Sequence, residues 1–166
     1  MTGIVQATYG LNHNPAFVGM VADDQVCNIV SKLNNDTAII GYGKAVVADA
    51  ADAEQGAKLP TSASVAADFI GVAVRELNRS YLATDTFGAV TDKDFSVITV
   101  GTIWVIAAEA VNARDPAFFR VGATGLGDFA KSAGTGATAA VAIPGAKFLT
   151  GGAAGSIVKL SFVVGG

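Results

Sequence analysis

Apolar and polar positions alternate most cleanly near the end of the chain. Ile157, Lys159, Ser161 and Val163 interleave with Val158, Leu160, Phe162 and Val164, and the second set reads as the inward face of a strand. The run from Phe95 to Ile106 is the strongest strand. Ile98, Val100, Thr102, Trp104 and Ile106 fall on one face, and Val97, Thr99, Gly101, Ile103 and Val105 on the other. Both faces are largely apolar, which predicts a strand covered on both sides.

Weaker signals fill in the rest. Residues 37–47 are rich in strand formers, with Gly41 and Gly43 on one side of the alternation, where a bend or close backbone approach belongs. Phe69–Val74 fits a strand. Val65, Phe69, Ala73 and Leu77 also recur at helical spacing, but β-branched content and Gly71 favour the strand. Residues 117–121 follow a turn at 112–116, and residues 122–138, with five glycines, predict a long loop or a broken hairpin. Residues 139–143 and 147–149 flank Pro144-Gly145, read as a turn, and the Ala/Asp-rich stretch 48–60 is read as a loop. Short strands punctuated by Gly and Pro, with no convincing long helix, predict an all-β fold: a small antiparallel β-barrel or sandwich. No internal repeat or second domain is visible.

Residues 1–30 break this pattern. Gly3, Gly10, Asn12, Asn14, Pro15 and Gly19 interrupt them, yet they are apolar, with Asp23 and Asp24 as their charges. A free disordered tail is normally polar and charged. An apolar, aperiodic segment needs a surface to lie on, either its own domain, a sister subunit or another protein. The expected organisation is an extended N-terminal arm over 1–30 and one β-rich domain over 31–166.

Composition sharpens the picture. Of 166 residues, 20 are glycine and 31 alanine, and only 15% are charged, where about 25% is usual. So little charge suits a molecule whose surface is partly covered by neighbours. A net charge of −3 argues against nucleic acid as a partner. After Asp128 the chain has no acidic residue, only Lys131, Lys147 and Lys159, read chiefly as a solubilising set. The longest apolar run, 95–108, is too short for a membrane helix and predicts no membrane span. The N-terminus lacks the basic region of a signal peptide.

Catalytic constellations fail one by one. Cys27 and His13 are the sole cysteine and histidine, which excludes a Cys/His zinc site and an internal disulfide. Nothing supplies a third group to make them a nucleophile pair. Cys27 is read as a small buried hydrophobe and His13 as a surface residue. Gly41-Tyr-Gly-Lys44 lacks the Ser or Thr and the upstream glycine of a phosphate loop, and Gly122-Ala-Thr-Gly-Leu-Gly127 lacks dinucleotide-loop spacing. Close aspartates, such as Asp23-Asp24 and Asp92 with Asp94, read as turn formers, and no calcium-loop spacing is present. No cofactor, metal or catalytic residue is expected.

In their order along the chain, Ala16-Phe-Val-Gly-Met-Val-Ala-Asp23, Ile40-Gly-Tyr-Gly-Lys44, Phe69-Ile-Gly-Val-Ala-Val74, Gly101-Thr-Ile-Trp-Val105, Val111–Arg120, Ala146-Lys-Phe-Leu-Thr150 and Ile157-Val-Lys-Leu160 form a pattern. This pattern resembles the phage capsid cement family of small head-decoration proteins. Such proteins carry glycine ahead of the aspartate in the 111–120 turn, where this chain has Arg114. The resemblance implies a virion structural protein, assembled in the host cytoplasm and seated on the outer surface of the major capsid protein shell. It also implies homotrimers at three-fold or quasi-three-fold positions, with neither cofactor nor catalysis. Capsid bridging is assigned to the arm residues Tyr9, Leu11, Phe17, Val18 and Met20, with the expectation that a core lacking residues 2–22 folds but does not bind. The aromatic candidates for a subunit interface are Trp104, Phe118 and Phe119. Trp104 suits either the core or an anchor, and Phe118 and Phe119 face opposite ways. The alternative is a tail, fibre or other β-rich adhesive module.

Overall fold

The computed structural model describes residues 16–23, 26–76 and 87–163. Their strands are β1 (Asn28–Asn34), β2 (Ile40–Gly41), β3 (Ala45–Asp49), β4 (Asp52–Lys58), β5 (Phe69–Ala73), β6 (Gly88–Ala89), β7 (Asp94–Ile106), β8 (Pro116–Arg120), β9 (Phe129–Ala130), β10 (Ala140–Phe148) and β11 (Ile157–Val163). Two single 3-10 turns, Ala66–Asp68 and Gly136–Thr138, account for the helix among the described residues. The fold is all-β, as the alternation predicts.

The 13-residue strand β7 organises it. Its first half closes a five-stranded barrel in the order β1-β4-β3-β5-β7 and back to β1. The β1–β4 contact is parallel and the others are antiparallel. Its second half starts a further run, β7-β11-β10-β8-β9. A parallel bridge from Phe129 of β9 to Ala107 returns that run to the end of β7. Asn28 of β1 and Val163 of β11 both register on Val100, so the two systems meet at the middle of β7.

This arrangement explains why β7 is apolar on both faces. Phe95 and Val97 point into the barrel with Ile40, Val46, Ala57 and Ala73. Ile98, Ile103 and Val105 join a larger core with Phe69, Phe119, Phe129, Phe148 and Leu160. In that core the Phe69 ring stacks on Phe119 at 5.3 Å between centroids and meets Phe162 edge-on at 5.7 Å, both favourable aromatic geometries. Val158, Leu160 and Phe162 of β11 are buried, as their alternation requires.

Three expectations are corrected. The stretch read as a loop at 48–60 contains β4, which pairs with both β3 and β1. Its composition, Asp-Ala-Glu-Gln-Gly-Ala-Lys, is poor in strand formers, and the neighbouring strands impose its conformation. Pro144-Gly145 is not a turn between strands. It is an irregularity inside β10, between the Ala142–Phe118 and Lys147–Pro116 pairs, where the missing proline N–H breaks no ladder bond. Cys27 is exposed rather than buried. The departure at Arg114 has a structural counterpart: its φ is +75°, the left-handed region that glycine enters without strain.

Candidate functional site

The base of the N-terminal arm is built into the molecule. Its backbone runs beside the second half of β7, where Val21 bridges Ile103. Gly19 N–H donates to Trp104 O at 2.7 Å, Trp104 N–H to Met20 O at 2.9 Å, and Ala22 N–H to Thr102 O at 2.8 Å. Arg75 N–H donates to Gly19 O at 2.7 Å, which ties the same residue to the end of β5. Removal of residues 2–22 would therefore break these backbone bonds to β7 as well as remove the arm.

Two glycines make this seat. Gly19 has φ +80° and Gly43, in the turn between β2 and β3, has φ +73°. A Cβ on Gly19 would lie 2.8 Å from Tyr42 Cβ and 2.9 Å from Gly43 N, and a Cβ on Gly43 would lie 2.9 Å from Gly19 N. The two backbones touch, and no side chain fits between them. The signal was present in the sequence as Gly41-Tyr-Gly43, read as a bend or a close backbone approach, but its partner was not legible.

The seat sorts the assigned arm residues. Phe17 is 58% exposed and Met20 is 42% exposed. Phe17 is held in place by Arg75, whose guanidinium carbon lies 4.6 Å from the ring centroid. Val18 is half-buried, and its side chain occupies the space next to Gly43. It packs the arm down, whereas Phe17 and Met20 present apolar surface outward. Tyr9, Leu11 and His13 lie outside the described residues.

The aromatic candidates separate in the same way. Trp104 is 8% exposed and lies beneath Lys159, whose Nζ is 5.2 Å from the ring and 2.8 Å from Asp23 at the end of the arm. Phe119 is wholly inside the larger core, so it has no surface to offer a second subunit. Phe118 is half-exposed on β8. Further exposed apolar side chains are Ile39, Phe87 and Val90 around the β2–β6 pair, and Val26, Ile29 and Val163 on or beside the strands that flank the middle of β7.

Charged pairs are distributed over the fold. Lys44 Nζ bonds Asp128 Oδ1 at 2.7 Å and Leu126 O at 2.9 Å, joining β3 to the glycine-rich 122–127 loop. Burial pushes the Asp128 carboxyl above its ordinary value, against the Lys44 bond and the charges of Lys44 and Arg120. Burial also works to raise Glu109, but the Ser132 hydroxyl, the backbone N–H groups of Lys131 and Ser132 and the Arg120 charge outweigh it, and its carboxyl is lowered. Lys131 lies 3.9 Å from Asp115 and Lys159 pairs with Asp23. Two of the three lysines after Asp128 thus answer acids from earlier in the chain. Among the described residues no group of three His, Cys, Asp or Glu side chains is placed to hold a metal.

Comparison with known proteins gives a family and a likeness to solved structures. The profile of the structural cement protein family (E217 gp24/Pam3 gp6) matches residues 5–163. In the structure of the capsid of Myoviridae Phage XM1, one chain superposes with a TM-score of 0.72 at 17% identity, covering 97% of this chain and 98% of that one. At that identity the likeness is one of fold. No curated protein sequence matches.

Proposed function

The chain belongs to the structural cement protein family, with a structural role in the phage capsid, and from that premise we propose that it binds the outer surface of the major capsid protein shell and bridges its subunits. The observation that carries the proposal is the seated arm base. It presents Phe17 and Met20 to solvent from backbone that is hydrogen-bonded to β7. Pre-ordered apolar side chains bind at lower entropic cost than the same groups on a free tail. Tyr9 and Leu11, further along the arm, belong to the same proposed contact.

A homotrimer is part of this reading. Phe118 is the aromatic candidate with surface to contribute, because Phe119 is enclosed and Trp104 is covered by the arm and Lys159. Several copies gripping one shell gain from avidity, and any ligand that binds only the assembled shell stabilises it by linkage.

Co-sedimentation with undecorated shells tests the proposal. The full chain is expected to pellet saturably, at a fixed ratio to the shell protein. The double variant Phe17→Ser/Met20→Ser, which leaves the backbone seat intact, is expected to bind at least about ten-fold more weakly, as for loss of two apolar contacts. Equal pelleting of variant and parent would remove the arm base from the contact.

A further inference from the structure

Beyond the arm, the structure holds a cleft of about 280 Å³ lined by Ile106, Ala107, Arg120, Thr124, Asp128 and Thr138, among others. Arg120 is its unusual member. It is 7% exposed, and its Nε has no hydrogen-bond partner among the described residues. A buried donor left unmatched is costly, and a buried guanidinium more so. Folded proteins leave few such groups without a reason.

The nearby carboxylates do not supply the missing acceptor. Asp128 and Glu109 are two acids whose charges feel Arg120. Asp128 is engaged by Lys44 at 2.7 Å. Glu109 Oε1 accepts from Lys131 N–H at 2.8 Å, Ser132 N–H at 2.9 Å and Ser132 Oγ at 2.7 Å. Both acids balance the charge of Arg120 through space while their hydrogen bonds go elsewhere. The strand itself fixes Arg120 in place: its N–H donates to Asp128 O at 2.9 Å, and its carbonyl accepts from Gly127 N–H at 3.0 Å. Arg120 is therefore held by its strand and charge-balanced, and its buried Nε is unmatched in hydrogen bonding.

We infer that this cleft receives a carboxylate, held by Arg120. A guanidinium presents parallel N–H groups in a plane, and a carboxylate is the small acceptor that matches that fork with two bonds. The small residues Ala107 and Gly125 leave room for the group to enter, and Thr124 and Thr138 also line the cleft. The carboxylate is either an Asp or Glu side chain of the shell protein, in which case the inference rests on the capsid-binding reading, or a small free acid.

Arginine-selective ¹⁵N spectra of the full chain test it directly. The Nε–H resonance of Arg120 is assigned by its disappearance in Arg120→Lys. It is then followed through titrations with sodium acetate and with sodium chloride at matched ionic strength. A saturable shift with acetate alone is the expected result. Identical behaviour in the two salts overturns the inference, whatever the protein does with shells. The source of the acid follows from co-sedimentation of Arg120→Lys and of Thr124→Val, each checked for its fold by circular dichroism. Shell affinity lowered roughly ten-fold or more in Arg120→Lys, the size of one lost charge-assisted bond, assigns the carboxylate to the shell protein. Unchanged affinity together with an acetate shift assigns it to a free acid. If the parent chain shows the acetate shift but does not pellet with shells, the capsid-binding proposal fails and the carboxylate site stands.

Discussion

At the scale of single residues, two positions carry measurable consequences. Arg114 holds a left-handed backbone at the turn before β8, with its N–H bonded to Phe148 O at 2.7 Å. An ordinary side chain costs about 1–2 kcal/mol in that region, part of which glycine gives back in chain entropy. Arg114→Gly is therefore expected to stabilise the fold by roughly 0.5–1 kcal/mol, seen as a rise of a few degrees in Tm. An unchanged or lower Tm would mean that the arginine side chain compensates for its backbone.

Asp49 is the other. Its carboxyl is lowered by the Lys58 side chain at 3.0 Å, then by the Ala51 N–H and the Asn35 amide, against some burial. A lowered carboxyl in the folded state stabilises the protein above the unfolded value. That stability is lost as pH falls below about 4. Asp49→Asn should accordingly be less stable than the parent at neutral pH, with a shallower loss on acidification. Parallel stability-pH curves for the two would show that the Lys58 contact contributes nothing. Asp128 has the opposite sign. Its carboxyl is raised, so its ionisation works against the fold at neutral pH, and protonation relieves that cost.

Among elements, legibility in the sequence depended on how each one buries its surface. β11 and β7 were readable because alternation reports burial: Val158, Leu160 and Phe162 face one core, and β7 feeds two. β4 was not readable, because its Glu54 and Gln55 face solvent and only Gly56 and Ala57 are enclosed. Its strand conformation comes from the β3 and β1 backbones beside it. β1 falls partly in the segment read as an arm, and its exposure from Asn28 to Ile29 hides its period. At the site, Phe17 and Met20 stood out as apolar residues in an uncharged, aperiodic stretch, but their exposure was not legible. Arg120 was not, because nothing local marks a cation enclosed by a distant loop and strand.

The arm base is the element most open to test. Gly43→Ala adds a methyl group at a left-handed position against Gly19 and Val18, at a cost on the order of 2 kcal/mol. Hydrogen exchange at Gly19, Ala22 and Trp104 is expected to speed up more than at β11 amides. Uniform acceleration would show that the seat does not open independently of the core.

For the whole molecule, the decisive fact is that one strand belongs to both cores. Phe119→Ala removes a ring from the larger core, at about 3–5 kcal/mol, and Val97→Ala removes two methyl groups from the barrel at a smaller cost. Because Val97 and Ile98 are neighbours on β7, neither core can open without releasing the other's wall. Both variants are expected to lower the same single denaturant midpoint, with Trp104 fluorescence and far-ultraviolet dichroism coinciding. Separate transitions would show that the two halves fold independently.

The bonds from Gly19, Met20 and Ala22 to β7 lie side by side along the strand. A pull along the axis of the arm loads them together in shear, whereas a pull away from the sheet would peel them apart one at a time. The seat would therefore resist a pull along the arm far better than a pull away from the sheet.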